Sequence, residues 1–352
     1  MLTIGQERES QCVIEIGAGS DVRAMTFASA GCECLVSGHW EESIRVWRVE
    51  DGEQVATVAA DHVYCLAVSE DGRWLAAGTY LGDVLVWDVA THKQIFAYRK
   101  DNHGIHGVDF SPDSTHLVIA SWNCTATILD LTTQEQARTL VHDGDGAVVA
   151  AKYSPQGDRI ATATHYSVRV WGTSEGQLFM TIDTKATPRY NTGLLWLDNH
   201  LFVASDGKIE RFDASTGSIV SKWSVTDSVY TSCIALPKHE RFVAYSANRT
   251  VTFWDTSTHF CLRIIRHSQD IRSIAFSPDD RLLVIGGVEG KISVISVSGV
   301  FRWKMAYPNH LTAMSADTYI RRSLLSKEDH KTNNLRPRKA MTTTTTRFTS
   351  YR

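Results

Sequence analysis

The chain has 352 residues, 43% of them hydrophobic, and a formal charge of −3, enough apolar content for a sizeable core and enough length for one large or two ordinary domains. The charge is uneven: residues 308 to 352 hold nine Lys or Arg against three acids, a surplus of six, so the first 307 residues sum to −9, which argues against nucleic acid as a partner of that part. No apolar run approaches the roughly 20 residues of a membrane span, and the opening MLTIGQERES lacks the apolar centre of a signal peptide, so no membrane association and a cytoplasmic, alternatively nuclear, location are expected.

In chain order, residues 1 to 10 are polar and expected to be loose, and Gln11-Cys12-Val13-Ile14-Glu15-Ile16 has a strand alternation. The stretch from Asp61 to Val89 then sets a pattern that the chain repeats. An apolar alternation covers Val63 to Val68, a turn follows at Ser69-Glu70-Asp71-Gly72, a second run spans Trp74 to Ala77, and a third is Val84-Leu85-Val86-Trp87. After Trp87-Asp88 and a polar turn, Gln94 to Tyr98 supplies a fourth run, which completes one four-stranded antiparallel unit. The position of Trp87 is held in turn by Trp47, Trp87, Leu129, Trp171, Phe212, Trp254 and Ile295, with steps of 40, 42, 42, 41, 42 and 41 residues.

Seven units with a period of about 40 to 45 residues carry further shared residues. Trp87-Asp88 and Trp254-Asp255 keep a terminal Trp-Asp; Leu129-Asp130 and Phe212-Asp213 keep the Asp; Trp47-Arg48 and Trp171-Gly172 keep the Trp; Ile295-Ser296 keeps neither. Ser111-Pro112-Asp113 and Ser277-Pro278-Asp279 share a first-turn core, of which Ser154-Pro155-Gln156-Gly157 and Ser69 to Gly72 are variants. On these residues the chain resembles the β-transducin-like WD-repeat family over roughly residues 11 to 305. The resemblance implies an all-β fold, a seven-bladed β-propeller of four-stranded antiparallel blades over residues 11 to 307, followed by a disordered, basic, Thr-rich tail over 308 to 352. The fifth unit, Asn191 to Val225, lacks the turn signature and has a shortened hairpin.

The seventh unit offers three clear strands, so a fourth must come from elsewhere. Residues 11 to 16 precede Val22 to Phe27 as Gln94 to Tyr98 precede Ile105 to Phe110, and they are expected to close the ring; Val300 to Met305 is the competing segment. Similar repeats brace each blade through the strand-three Trp, a Ser or Thr eight residues earlier, an Asp six residues earlier and a loop His. At those offsets stand His39 and Glu41, Thr79 and Leu81, Ser121 and Asn123, Ser246 and Asn248, and Gly287 and Glu289, so no unit is complete. Packing should then rest on apolar burial.

Seven scattered Cys read as reduced, partly buried thiols. Cys32-Glu33-Cys34 would be half a zinc site, but a second ligand pair is missing, which favours a turn and strand. Loop residues Asp61, His62, Asp101, His103, His106, His142, Asp143 and Asp145 suit metal ligation or proton relay in type, yet solvated loop positions and structural histidines explain them better, and there is no phosphate-binding Gly loop or Gly-x-Ser-x-Gly. No enzyme, metal or cofactor is expected.

What remains is a recognition module or scaffold that binds a protein or peptide on a propeller face, a monomeric ring within a larger complex. Two alternatives stand beside it: a sensor domain like the repeat end of nucleotide-binding signalling proteins, or a ubiquitin-ligase substrate receptor, though the endings Trp87-Asp88-Val89-Ala90 and Trp254-Asp255-Thr256-Ser257 lack the basic residue of that class. The hairpin tips between strands two and three point to the surface in question. They carry Trp40, Tyr80, Trp122 and His165-Tyr166 in units one to four, against Ser205-Asp206-Gly207, Ala247-Asn248-Arg249 and Val288-Glu289-Gly290 in the rest. Aromatic tips either form a partner-binding crescent or fold onto the neighbouring inter-blade loops.

Overall fold

The computed structural model describes residues 12 to 297 apart from 29–33, 42, 100, 185–192, 206, 225–230 and 239–241. The tail over 308 to 352, the segment 300 to 305 and Cys32 therefore lie outside the described residues.

The first strand, β1 (Cys12–Gly17), stands ahead of six consecutive four-stranded blades. Blade one is β2 (Val22–Phe27), β3 (Cys34–His39), β4 (Ser43–Arg48) and β5 (Gln54–Ala59). Blade two is β6 (Val63–Val68), β7 (Trp74–Thr79), β8 (Asp83–Asp88) and β9 (Gln94–Arg99); blade three is β10 (Ile105–Phe110), β11 (His116–Ser121), β12 (Thr125–Asp130) and β13 (Glu135–Val141). Blade four is β14 (Ala150–Tyr153), β15 (Arg159–Ala163), β16 (Ser167–Gly172) and β17 (Leu178–Asp183); blade five is β18 (Leu194–Leu197), β19 (His200–Ser205), β20 (Lys208–Asp213) and β21 (Ile219–Ser224). Blade six is β22 (Thr231–Ala235), β23 (Phe242–Ala247), β24 (Thr250–Asp255) and β25 (Cys261–Arg266), and β26 (Ile271–Phe276), β27 (Leu282–Gly287) and β28 (Lys291–Ser296) begin blade seven. The seven sheets are antiparallel, and the first strands of successive blades pack on one another around the ring, β26 against β2 included. In blade five the hairpin turns tightly at Asp198, held at φ +50°, as its shortened sequence requires.

Closure is non-covalent. β1 completes blade seven by pairing with β28 in the register Ile14↔Val294 and Ile16↔Ile292, which is the closure expected from residues 11 to 16. Ile16 and Ala18 are buried with Val22, Met25 and Trp47 of blade one and Val284, Ile292 and Val294 of blade seven, so the strand links the first and last blades through side chains as well as backbone.

Alternation puts one face of each middle strand against the next blade, and β3, β7 and β27 use glycine where that approach is closest. A Cβ on Gly38 would lie 2.5 Å from Val63, one on Gly78 2.4 Å from Ile105, and one on Gly286 2.7 Å from Val22. In each case the first residue of the following inner strand fills the space that a side chain would take.

Trp87 is buried in a cluster that joins Val36, Ile44 and Val46 of blade one to Leu75 and Ala77 of its own blade. Trp87→Ala should therefore cost about 3 to 5 kcal/mol, and Trp254→Ala a comparable amount. Urea unfolding measures it; a loss under about 1 kcal/mol at both would mean that the indoles do not fill inter-blade space.

The polar bracing differs from the sequence expectation. In blade one Trp47 Nε1 donates to Ser37 Oγ at 2.8 Å, Ser37 Oγ meets His39 Nε2 at 2.8 Å, and His39 Nδ1 meets Ser20 Oγ at 3.0 Å. In blade four Trp171 Nε1 donates to Thr162 Oγ1 at 2.7 Å, and Thr162 Oγ1 meets His142 Nε2 at 3.0 Å. The hydroxyls stand ten and nine residues before the Trp, not eight, because the indole reaches diagonally: Ser37 faces Arg45 and Thr162 faces Arg169, each two residues before the Trp on the same sheet face. His142 is thus a structural bracing residue.

Candidate functional site

The inter-blade loops and the strand-two to strand-three tips lie together on one face. Their alignment is backbone-driven: the tip N–H of Trp40 donates to Asp21 O at 3.3 Å, that of Tyr80 to His62 O at 2.9 Å and that of Trp122 to Gly104 O at 3.0 Å. Each aromatic tip is thereby held over the loop that enters its own blade. Five first strands, β2, β6, β10, β22 and β26, carry a β-bulge at their second residue; in the first three that residue is Arg23, Tyr64 or His106, whose side chain is redirected towards the tips.

The result is one connected aromatic row. Trp40 lies 5.6 Å from Tyr80 and 5.5 Å from Tyr64, and its edge meets His62 at 4.9 Å. Tyr64 lies 5.7 Å from Tyr80 and 4.8 Å from His106, His106 stacks on Trp122 at 4.8 Å, and Tyr80 reaches Trp122 at 6.5 Å. Arg23 caps the row, with its guanidinium 4.9 Å from the Trp40 ring centre and 5.9 Å from that of Tyr64. The exposure is graded: Trp40 is half-buried, Tyr80 is 40% exposed, Trp122 42% and Tyr166 66%. His165 comes near enough to His106 to disfavour its protonation, whereas Tyr166 has no ring contact among the described residues. The tips of Trp40, Tyr80 and Trp122 are thus brought together, His165 adjoins them, and Tyr166 stands apart.

Arg23 and Tyr64 belong to the row but were missed from sequence, and His106, read there as a loop residue, lies in β10 and belongs to the row as well. Their signal was present: they recur at one repeat position, 41 and 42 residues apart, where an apolar alternation carries a large polar or aromatic side chain.

Charge on this face is one-sided. In the described loops and tips of blades one to four, at 18–21, 40–41, 60–62, 80–82, 101–104, 122–124, 142–149 and 164–166, there are six carboxylates, Asp21, Glu41, Asp61, Asp101, Asp143 and Asp145, and no Lys or Arg. Asp21 pairs with Arg23 at 2.9 Å and Asp145 with Arg169 at 2.5 Å. Glu41, Asp61 and Asp143 have no ion pair or hydrogen bond among the described residues. Burial pushes the Asp101 carboxyl up, but hydrogen bonds from the His103 N–H, the Asn123 amide and the His103 ring outweigh it and leave Asp101 below its ordinary value, hence ionised. A surface recess of ≈ 590 Å³ opens between blades one and two, with Trp40, Glu41, Arg45, Asp61 and His62 in its wall. The tips of blades six and seven instead pair with the loops beside them, Arg249 with Asp270 at 3.1 Å and Glu289 with Gln269 at 3.3 Å.

Seven such blades, closed by an N-terminal strand and bearing loops of this kind, define a WD-repeat β-propeller. A family model described as Nucleolar protein 10-like, N-terminal domain, matches residues 7–202, and one described as WD domain, G-beta repeat, matches residues 259–296. The first covers more than half of the chain, and the protein belongs to the Nucleolar protein 10-like family of N-terminal propeller domains. Among curated relatives, the U3 small nucleolar RNA-associated protein 15 homolog of Xenopus laevis is 23% identical over 66% of this chain and 46% of its own length. Periodic tryptophan protein 2 of Arabidopsis thaliana is 25% identical over 64% of this chain and 26% of its own. The chain thus spans about half or less of the length of these relatives. The solved structure of U3-55K shares the fold at a TM-score of 0.71 and 18% identity, covering 80% of this chain and 97% of that one.

These likenesses correct the expectation that nucleic acid plays no part. Relatives named for association with a small nucleolar RNA conflict with it. The expectation rested on the net charge of the ring, which sums over every face, whereas joining an RNA-containing assembly engages one face or an intermediary protein.

Proposed function

We propose that the protein is a non-catalytic scaffold of a nucleolar assembly associated with small nucleolar RNA, located in the nucleus rather than the cytosol, and that it holds a protein or peptide partner on the face built from Trp40, Tyr80, Trp122, His165 and Tyr166. The observation that carries this reading is the continuous aromatic row over blades one to three. Aromatic rings held at loop tips with 40% or more exposure offer large contact area at low entropic cost, the property of interface anchors. The names of the relatives supply the assembly.

Trp122→Ala and Trp40→Ala, each expressed in full-length chain and purified from nuclear extract, test it. Trp122→Ala should lose the co-purifying proteins seen with the unaltered chain while stability falls by less than about 1 kcal/mol. Trp40, half-buried against His62 and Tyr64, should lose capture with a larger stability cost. If both variants retain every partner, or the tagged chain is excluded from nucleoli, the reading fails.

A further inference from the structure

Within the first blade this face already holds one of the chain's own arginines. The Arg23 guanidinium lies over the Trp40 ring at 4.9 Å while its Nε contacts the Asp21 carboxylate at 2.9 Å. One planar cation is thus held jointly by an aromatic tip and a loop carboxylate. The same two elements recur in the next blades, where no described cation lies over the ring; Arg45, in the wall of the recess, donates to Ala18 O instead. The bulged position of Arg23 is taken by Tyr64 in blade two and His106 in blade three, neither of which supplies the charge: burial, reinforced by His165, pulls His106 down to about 4, so it is neutral at physiological pH.

Two places are left open. In the recess between blades one and two, Asp61 and Glu41 stand beside Trp40 without a partner among the described residues, and His62 Nδ1, a buried nitrogen with no hydrogen-bond partner, lies in the same wall. Between the tips of blades two and three stands Asp101. A Cβ on Gly82, two residues after Tyr80, would lie 2.5 Å from Asp101 O, and Asn123, the neighbour of Trp122, donates its amide to Asp101 Oδ2 at 2.5 Å. Both places offer carboxylate and ring together, and none of the described residues in the inter-blade loops and strand-two to strand-three tips of blades one to four is Lys or Arg, although Arg45 of β4 reaches the wall of the first place.

We infer that this face docks an arginine-containing segment of a partner protein, with one guanidinium entering the Asp61–Glu41 recess beside Trp40 and another lying between Tyr80 and Trp122 on Asp101. This rests on the proposed partner-binding role of the face and specifies the partner's chemistry. Arginine is favoured over lysine because a planar, weakly hydrated guanidinium stacks on an aromatic ring and pairs with a carboxylate at the same time. Phosphate is disfavoured at these two places, since the six loop carboxylates outnumber Arg23, Arg45 and Arg169, the cations described beside them, and would repel it. An RNA in the assembly would then meet another surface.

Fluorescence anisotropy of the full chain with a fluorescein-labelled Arg-Gly-Gly repeat peptide tests the inference, with a Lys-Gly-Gly repeat of equal charge and a poly-uridine RNA as comparisons. The arginine peptide should bind, and the lysine peptide about threefold more weakly or worse. Asp61→Asn combined with Asp101→Asn should weaken the arginine peptide about tenfold, and Trp122→Ala or Tyr80→Ala about three- to fivefold. Glu135→Gln combined with Glu175→Gln removes as much charge at exposed positions away from the loops and tips and should change nothing. Equal binding of the two peptides, equal loss in the two double variants, or poly-uridine bound more tightly than the arginine peptide through Tyr80 and Trp122 would each overturn it. If the peptide series fails while Trp122→Ala still abolishes partner capture, the scaffold reading stands and only the partner chemistry falls; if both fail, the face is not a binding site.

Discussion

Acidification from about pH 7.5 to about pH 5 should remove about 6 kcal/mol of folding stability through three histidines alone. His39, His106 and His142 are almost fully buried. Burial pulls each of them from 6.5 to about 4, with help from Arg45 at His39, His165 at His106 and Arg169 at His142, against Ser20 at the first and Asp145 at the last. Each folded-state value lies below the unfolded one, so the unfolded chain takes up the protons. Stability is complete above about pH 6.5 and falls as the pH drops towards 4. At about pH 5 the difference amounts to about 2 kcal/mol per histidine, which is large against the roughly 5 to 15 kcal/mol that holds a folded domain together. His267 moves in the same direction, by burial.

The structural consequence is local before it is global. Protonating His142 or His39 places a charge in the bracing that runs from Trp171 through Thr162, or from Trp47 through Ser37, to an inter-blade loop. Urea titrations at the two pH values measure the total. His142→Gln should shrink the pH-dependent loss by about 2 kcal/mol while costing some stability at neutral pH. Midpoints that coincide at about pH 7.5 and about pH 5 would show that these rings are not held neutral.

Deleting residues 2 to 17 should lower the melting temperature by more than about 10 °C or cause aggregation. The deletion removes β1, exposes the paired edge of β28 and takes Ile16 from the cluster shared by blades one and seven. Loss of two inward isoleucines, Ile14 and Ile16, is by itself worth about 5 kcal/mol or more. Truncation from Pro308 onward should leave the midpoint unchanged. The comparison is made by thermal unfolding and light scattering; if the two truncations behaved the other way round, closure would belong to the C-terminal side.

The period of 40 to 42 residues, the alternation within each run and the terminal Trp or Asp were enough to place seven four-stranded units, while the fourth-strand pattern and the family resemblance only favoured residues 11 to 16 over 300 to 305 as the closing strand. Local patterning carries that much because side chains alternate with period two and each blade must bury the same face against its neighbours. The tips of Trp40, Tyr80 and Trp122 were legible for the same reason, by comparing one position around the ring. What the pattern did not carry depends on where strands pass one another. The partner of Trp47 is Ser37 because antiparallel register sets a diagonal, and a count of residues back along the chain misses it. Arg23, Tyr64 and His106 join the tips because a bulge at each strand start breaks the alternation and turns those side chains towards the next blade. Sequence by itself thus determined the blades, which follow from repeated local burial, and the pairing of β1 with β28 decided the closing strand. Only the tertiary structure decided which polar groups brace them, because strand register sets those partners, and which aromatic and acidic residues from separate blades meet on one face, because those contacts arise between chain segments some 40 residues apart.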